Sequence, residues 1–286
     1  ENPGGLLGGT APQYTPITNN NELKTAVDMY IDNKEDAKAK YGHIKGWDTS
    51  NVKSMINVFI SKETFNEDIS KWNTSKVENM SYMFYQAKTF NQNIESWNTS
   101  NVKYMGGMFN QAKAFNKNIG SWNTSNVENM GGVFGYTNTF NEDIGSWDTS
   151  NVKYMGGMFN QAKAFNEDIS KWNTSNVEDM GDMFNQATAF NTNIGSWNTS
   201  KVEYMRYMFN QATAFNTNIG SWNTSNVTDM SSMFRQATSF NQNISKWDVS
   251  IVKATGKYYS FGVESPLCAA GATSRPNGMK SSIACY

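Results

Sequence analysis

This sequence has almost no net charge. Twenty-four Lys and Arg face twenty-five Asp and Glu, for a net charge of −1. No field would draw the chain to nucleic acid or to an anionic lipid surface, so neither is expected as a partner. Long apolar runs are absent too, and nothing approaches the ~18 residues that read as a membrane span. Histidine occurs once, as His43, and cysteine twice, as Cys268 and Cys285 within the last nineteen residues. With the histidine so far from the cysteines, no metal site is expected, and neither thiol has a positioned base. His43, at the entry to the first repeat, reads as structural. No Gly-rich phosphate loop is evident: the pairs Gly106-Gly107, Gly131-Gly132 and Gly156-Gly157 sit beside a methionine column and read as relief of crowding. Catalysis needs an acid, base or nucleophile that differs from its surroundings. None stands out, so the chain reads as non-enzymatic, without catalytic residues or cofactors. No signal peptide is visible, but the sequence opens at Glu1 rather than Met, which points to a processed or truncated product.

Apolar residues make up only 38% of the chain, which raises the question of disorder. The 14% of aromatic residues answers it, because disordered chains are poor in them. They also recur on one beat. All nine tryptophans, from Trp47 through Trp72, Trp97 and Trp122 to Trp247, are spaced by 25 residues without insertion or deletion. Phenylalanines keep the same period from Phe65 to Phe240, and methionines from Met55 through Met80 and Met105 to Met230. Such internal periodicity is the signature of a repeat solenoid, in which stacking buries a face that no single unit can bury alone.

Within one unit, residues 65–70 are short and bounded by polar turn formers, and predict a strand. Residues 80–87 space their apolar members at three and four, and predict a short helix or 3₁₀ turn. Stacked units would pair as short parallel strands. The invariant Asn66, Asn91 and Asn116 and their equivalents would form an asparagine ladder at a bend. Trp72, Trp97, Trp122, Met80 and Met105 belong to the structural columns. Lys53, Glu78, Lys103, Glu128, Lys153 and Glu178 alternate in sign, as attracting stacked neighbours should, until Glu203 and Thr228 end the pattern.

The chain divides accordingly. Residues 1–16, rich in Gly and Pro, predict an extended arm. Residues 17–43 predict a helical cap, N-capped by Asn20 or Asn21, with Leu23, Ala26, Val27, Tyr30 and Ile31 on one face and a second short helix capped by Asp32. The array of eight to nine repeats occupies 44–252, and 253–286 is a C-terminal cap and tail. Two cysteines confined to that tail read as a disulfide closing a terminal loop in an oxidising compartment, with two free thiols as the competing reading.

Paired acids at Glu67-Asp68, Glu142-Asp143 and Glu167-Asp168 could contribute oxygens to Ca²⁺, but the same positions hold Lys117-Asn118 elsewhere, which a calcium repeat would not tolerate. The Asn-Thr-Ser sequons at Asn73, Asn98, Asn123, Asn173, Asn198 and Asn223 are accounted for by the turn itself, where Asp48 and Asp148 also serve. Variable positions are where exposure is expected. There Tyr82, Tyr104, Tyr154, Tyr204 and Tyr207 are candidate binding residues, because tyrosine supplies amphipathic contact area; scattered surface tyrosines are the competing reading.

Repeats of the form FNEDISKWNTSNVEDMGDMF, after a helical lead-in and YGHIKGWDTSNVKSM, resemble the BspA-like leucine-rich-repeat surface proteins, in their mycoplasma-type branch. The resemblance spans residues 19–252, although Trp, Phe and Met stand where many relatives use Leu. It implies a right-handed, leucine-rich-repeat-like solenoid on a secreted or surface-anchored protein, commonly linked to adhesion, and it carries over no catalytic residues. The expected function is therefore a non-enzymatic extracellular or cell-surface scaffold for adhesion or protein–protein interaction, with a protein or glycan on another surface as partner. A self-assembling extracellular filament, with copies stacked end to end, is one alternative. Recognition of a repetitive lattice such as polysaccharide or ice by a Thr/Asn/Ser face is another.

Overall fold

Residues 14–269 and 272–285 are described by a computed structural model. The arm expected over 1–16 lies outside the described residues except for its end. There Thr15 donates to Lys40 O at 2.9 Å, and the ring of Tyr14 lies against Gly42.

Two helices open the chain, α1 (Asn20–Asp32) and α2 (Lys34–Tyr41). Neither cap is the residue expected: Asn19 stands in for Asn20 or Asn21, and Asn33 for Asp32. Asn19 caps α1, accepting from Glu22 N–H at 3.0 Å, and Asn33 caps α2, accepting from Asp36 N–H at 3.3 Å. An asparagine in extended conformation at the boundary reaches the first free amides better than one already inside the helix. Leu23, Ala26, Val27 and Tyr30 form the buried face of α1, whereas Ile31 is exposed. That face covers the start of the array: Tyr30 and Tyr41 meet Trp47 edge-on at 5.8 and 5.9 Å between ring centroids. Lys62–Asp28 at 2.6 Å and Lys34–Glu67 at 2.7 Å tie the helices to the first repeat.

From there each 25-residue unit lies against the next. The contact is a single residue wide where backbone pairing is parallel: Ser54, Asn79, Tyr104, Asn129, Tyr154, Asp179, Tyr204 and Asp229 bridge in sequence. Extended strands do not form among the described residues. The stretch 65–70, expected as a strand, is irregular, because side chains rather than a backbone ladder pair it. Asn91 N–H donates to Asn66 Oδ1 at 2.9 Å and Asn116 N–H to Asn91 Oδ1 at 3.0 Å, and the same bond recurs up to Asn241.

Nor is 80–87 a helix or a 3₁₀ turn. Its amides alternate. Met80, Tyr82, Phe84 and Gln86 donate to Tyr104, Gly106, Met108 and Asn110 of the next unit, while Met83, Tyr85 and Ala87 close back on Met80, Tyr82 and Phe84. Tyr82 and Gln86 take φ of 55° and 59°, the position a type II turn puts in the left-handed region. Overlapping turns thus replace helical bonds with bonds between units. The spacing of three and four still works, because Met80, Met83, Phe84 and Ala87 are all buried.

The interior is aromatic. Phe84 stacks on Phe90 at 3.9 Å within its unit and on Phe109 at 5.5 Å in the next, nearly parallel in both cases. Trp97 and Trp122 lie 6.5 Å apart and 4° from parallel. Offset stacks of this kind add ~0.5–1.5 kcal/mol per pair beyond the area buried. Each indole N–H is satisfied across the stack, Trp72 by Ile44 O at 2.9 Å and Trp122 by Ile94 O at 3.2 Å. Met80 and Met105 are fully buried. Buried threonine hydroxyls bond forward, as Thr74 Oγ1 does to Asn98 O at 2.9 Å.

Near the C-terminus the sequence pattern fails at α3 (Ser250–Thr255), but the bonding between units continues. Met230, Ser232, Phe234 and Gln236 donate to Lys257, Tyr259, Phe261 and Val263. Ser260 and Gly262 then donate to Ile283 and Ala284 at 2.9 Å, so α4 (Ser281–Ala284) supplies the last carbonyls. Cys268 and Cys285 are joined by a disulfide whose Cα atoms lie 5.6 Å apart.

Candidate functional site: a tyrosine-bordered trough

The side chains at the parallel bridges reach the surface, and beyond the buried methionine that follows each bridge come two further columns whose side chains reach it too, except at the buried Ser231 and Ser232. In the bridge column, Tyr104, Tyr154 and Tyr204 are 41%, 45% and 39% exposed. They occupy every second unit and alternate with Asn129, Asp179 and Asp229. The acidic and amide residues have one oxygen already engaged: Asn129 Oδ1 accepts from Gly131 N–H at 2.9 Å, and Asp179 Oδ1 from Gly181 N–H at 2.8 Å. Tyrosine cannot cap in this way. Among the described residues, the amide of Gly156, two places after Tyr154, has no partner.

Three residues after each bridge, every unit has a residue at positive φ: Asn57, Tyr82, Gly107, Gly132, Gly157, Asp182, Tyr207 and Ser232, between 54° and 65°. Glycine suits this region, but the fold also accepts Tyr, Asp, Asn and Ser here. The column just before it has ordinary backbone and holds Ile56, Ser81, Gly106, Gly131, Gly156, Gly181, Arg206 and Ser231. Over three successive units both columns are glycine. The reason at Gly107 is contact, since a Cβ there would meet the ring of Tyr82 at 2.4 Å. At Gly157 a Cβ would find only Gly132 Cα, at 4.0 Å. The second case is open space, so crowding does not explain the glycine at 157, whereas a Cβ at Gly156 would press on Asp179 Oδ2 at 3.2 Å.

Their effect is a trough of about 420 Å³ floored by backbone. Its border includes Tyr82, Tyr154, Asn110, Asn129 and Asp179. Tyr82 is 48% exposed and packs edge-on against Tyr85 at 5.9 Å. Beyond Gly157 the same column passes to Asp182 and then to Tyr207, which is half-buried. Burial pushes the Asp182 carboxyl up, the Arg206 guanidinium 4.0 Å away opposes this, and nearby Asp179 adds to the upward push. The five tyrosines singled out from sequence therefore fall in two neighbouring columns of one face. Asn129, Asp179, Asn110 and the glycine floor were missed. Their signal is the column-by-column loss of side chains, which shows only when units are aligned and the outward columns are known.

The other candidates lie elsewhere. Lys103 bonds Glu78 at 3.1 Å and Lys153 Glu128 at 3.6 Å along the alternating column, and the first pair holds the Lys103 ammonium above its usual range. Asp68 bonds Lys45 and the amide of Ser70, which hold its carboxyl well below the usual range. Among the described residues no group of three or more potential metal ligands gathers. The asparagines of the Asn-Thr-Ser tripeptides close turns; Asn73 Oδ1 accepts from both Ser75 N–H and its hydroxyl. His43 caps a short 3₁₀ turn (Ile44–Gly46) through Nδ1, which accepts from Lys45 N–H at 3.4 Å.

No helix among the described residues is long and apolar enough to cross a membrane. No curated protein matches the chain. The family model described as "Mycoplasma protein of unknown function, DUF285" matches residues 26–135, 116–203 and 167–262, overlapping segments that between them take in the whole tandem array. The chain belongs to the DUF285 family.

Proposed function

We propose that this chain is a leucine-rich-repeat-like solenoid of the BspA-like kind that works outside the cytosol as a non-enzymatic adhesion or interaction scaffold. One observation carries the reading: tyrosines and hydrogen-bonding groups collect around an open trough on one face, while the remaining invariant columns serve the stack. The Cys268–Cys285 disulfide supports an oxidising compartment. The trough is shallow and open and borders on no nucleophile–base pair, which suits binding rather than turnover.

Two observations weigh against the alternatives. End-to-end stacking would need bare apolar ends, but helices α1 and α2 cover Trp47, and residues 257–263, backed by Ile283 and Ala284, cover the last unit. A regular threonine face is not offered to a lattice, because the Thr74 column is buried and bonded to backbone.

Beads coated with the full chain should attach to cultured cell monolayers or to extracellular matrix, and soluble chain should compete. Attachment no greater than that of albumin-coated beads on every surface would sink the scaffold reading.

A further inference from the structure

We infer that the trough takes a neutral polysaccharide chain, held on the rings of Tyr82 and Tyr154 and by the free polar atoms of Asn129, Asp179 and Gly156. This rests on the reading of the chain as an interaction protein.

The site stands on its border, and the glycines contribute only clearance. Tyr154 and Tyr82 are the large exposed apolar groups bordering the cavity, at 45% and 48%. An exposed ring at the edge of a polar trough offers a flat face to the C–H face of a sugar. Between the rings the hydrogen-bonding capacity is mixed. Asn129 has spent its oxygen on Gly131 N–H and has its amide hydrogens to give. Asp179 has spent Oδ1 on Gly181 N–H and has Oδ2 to accept with. Gly156 N–H, without a partner among the described residues, is a further donor. Donors and acceptors so interleaved match vicinal hydroxyls, each of which can do both.

Charge narrows the class. The bordering Asp179 carboxylate, with no cation lining the trough, disfavours phosphate, sulfate and uronate chains. An extended peptide would want a row of unpaired backbone groups to pair with. The floor offers no continuous row, since Gly107 is bonded to Gly131 O, Gly132 to Gly156 O and Gly131 to Asn129 Oδ1. Period favours a polymer: Tyr104, Tyr154 and Tyr204 recur every second unit, and two parallel-bridge steps span roughly 10 Å. That is on the scale of a disaccharide repeat.

The test is retention of the full chain on immobilised β-glucan, α-mannan and galactan, with hyaluronan and an extended-peptide library as counter-probes. Retention is expected on at least one neutral polysaccharide. It should weaken by about tenfold or more in Tyr154→Ala. It should weaken likewise in Gly156→Arg, which fills the trough at a column that already holds Arg206 in a later unit. Tyr259→Ala, at an exposed tyrosine outside the trough, should leave it unchanged. Unaltered melting temperatures would show that the variants still fold. Absence of retention on every neutral polysaccharide, equal retention by all variants, or preference for hyaluronan or peptide would overturn the proposal. If the beads attach to protein-coated surfaces while no glycan is retained, the interaction reading stands and the glycan falls. If neither happens, both fall.

Discussion

At the scale of single residues, Asp182 stands in a column where the backbone asks for positive φ and burial disfavours charge. Its folded carboxyl titrates above the unfolded value. The sign follows: the unfolded chain gives up its proton first, so this residue costs stability as pH rises and costs nothing below about pH 3, where both states are protonated. Asparagine tolerates the left-handed region, and Asn57 occupies the same column at φ 60°. Asp182→Asn should therefore raise the melting temperature at pH 7, with a gain that shrinks to nothing as pH falls toward 3. A loss at pH 7 would show that the Arg206 pairing outweighs burial, and a gain that persists at pH 3 would show that the charge of Asp182 is not its cause. Little of this is legible in sequence. Column membership can be read from spacing, but the direction in which Asp182 or Thr74 points depends on the turns that carry them. The invariant Asn, Thr and Trp were visible as repetition. That Thr74 bonds forward to Asn98 and Trp97 back to Ile69 was not.

At the scale of elements, the period and the apolar face of α1 were legible because both rest on burial, which leaves a spacing in the sequence. The true conformations of 65–70 and 80–87 were not, because their hydrogen bonds run largely to the neighbouring unit and leave no local signature, so the expected strand and helix were wrong. Cys268 and Cys285 gave away their pairing by isolation in the tail. The cap helices make the sharper test. Tyr30 is 3% exposed and lies edge-on to Trp47. Removing its ring should cost about 3 kcal/mol. In a stack where each unit touches only its neighbours, the damage should stay local. Hydrogen exchange of Tyr30→Ala should thus speed up at amides around Val58 and Phe59 and stay slow around Met158 and Phe159. Uniform acceleration along the chain would mean that the array unfolds as one cooperative block.

At the scale of the whole molecule, the two ends decide whether the stack stays finite. The N-terminal end is closed by side chains of α1 and α2. The C-terminal end is closed by backbone, since Ile283 and Ala284 receive the last outgoing amides and the disulfide fixes Cys285 next to them. The bridge closes a loop with a sequence separation of 17, and such a loop contributes about 3 kcal/mol by restricting the unfolded cap. The array itself does not depend on it: the aromatic columns from Trp47 to Trp247 lie outside the loop. Reduction, or Cys268→Ser with Cys285→Ser, should loosen residues 257–285 and split thermal unfolding into a small early transition and a main one near the original temperature. Exchange at Phe234 and Gln236, whose amides donate into the cap, should accelerate, while that at Phe134 should not. A reduced chain that melts in one unchanged step would show that packing of Phe261 and Leu267 holds the cap without the bond. A reduced chain that elongates in sedimentation would show something else: the bare end of the last unit can template another copy, and the disulfide keeps the stack from becoming a filament.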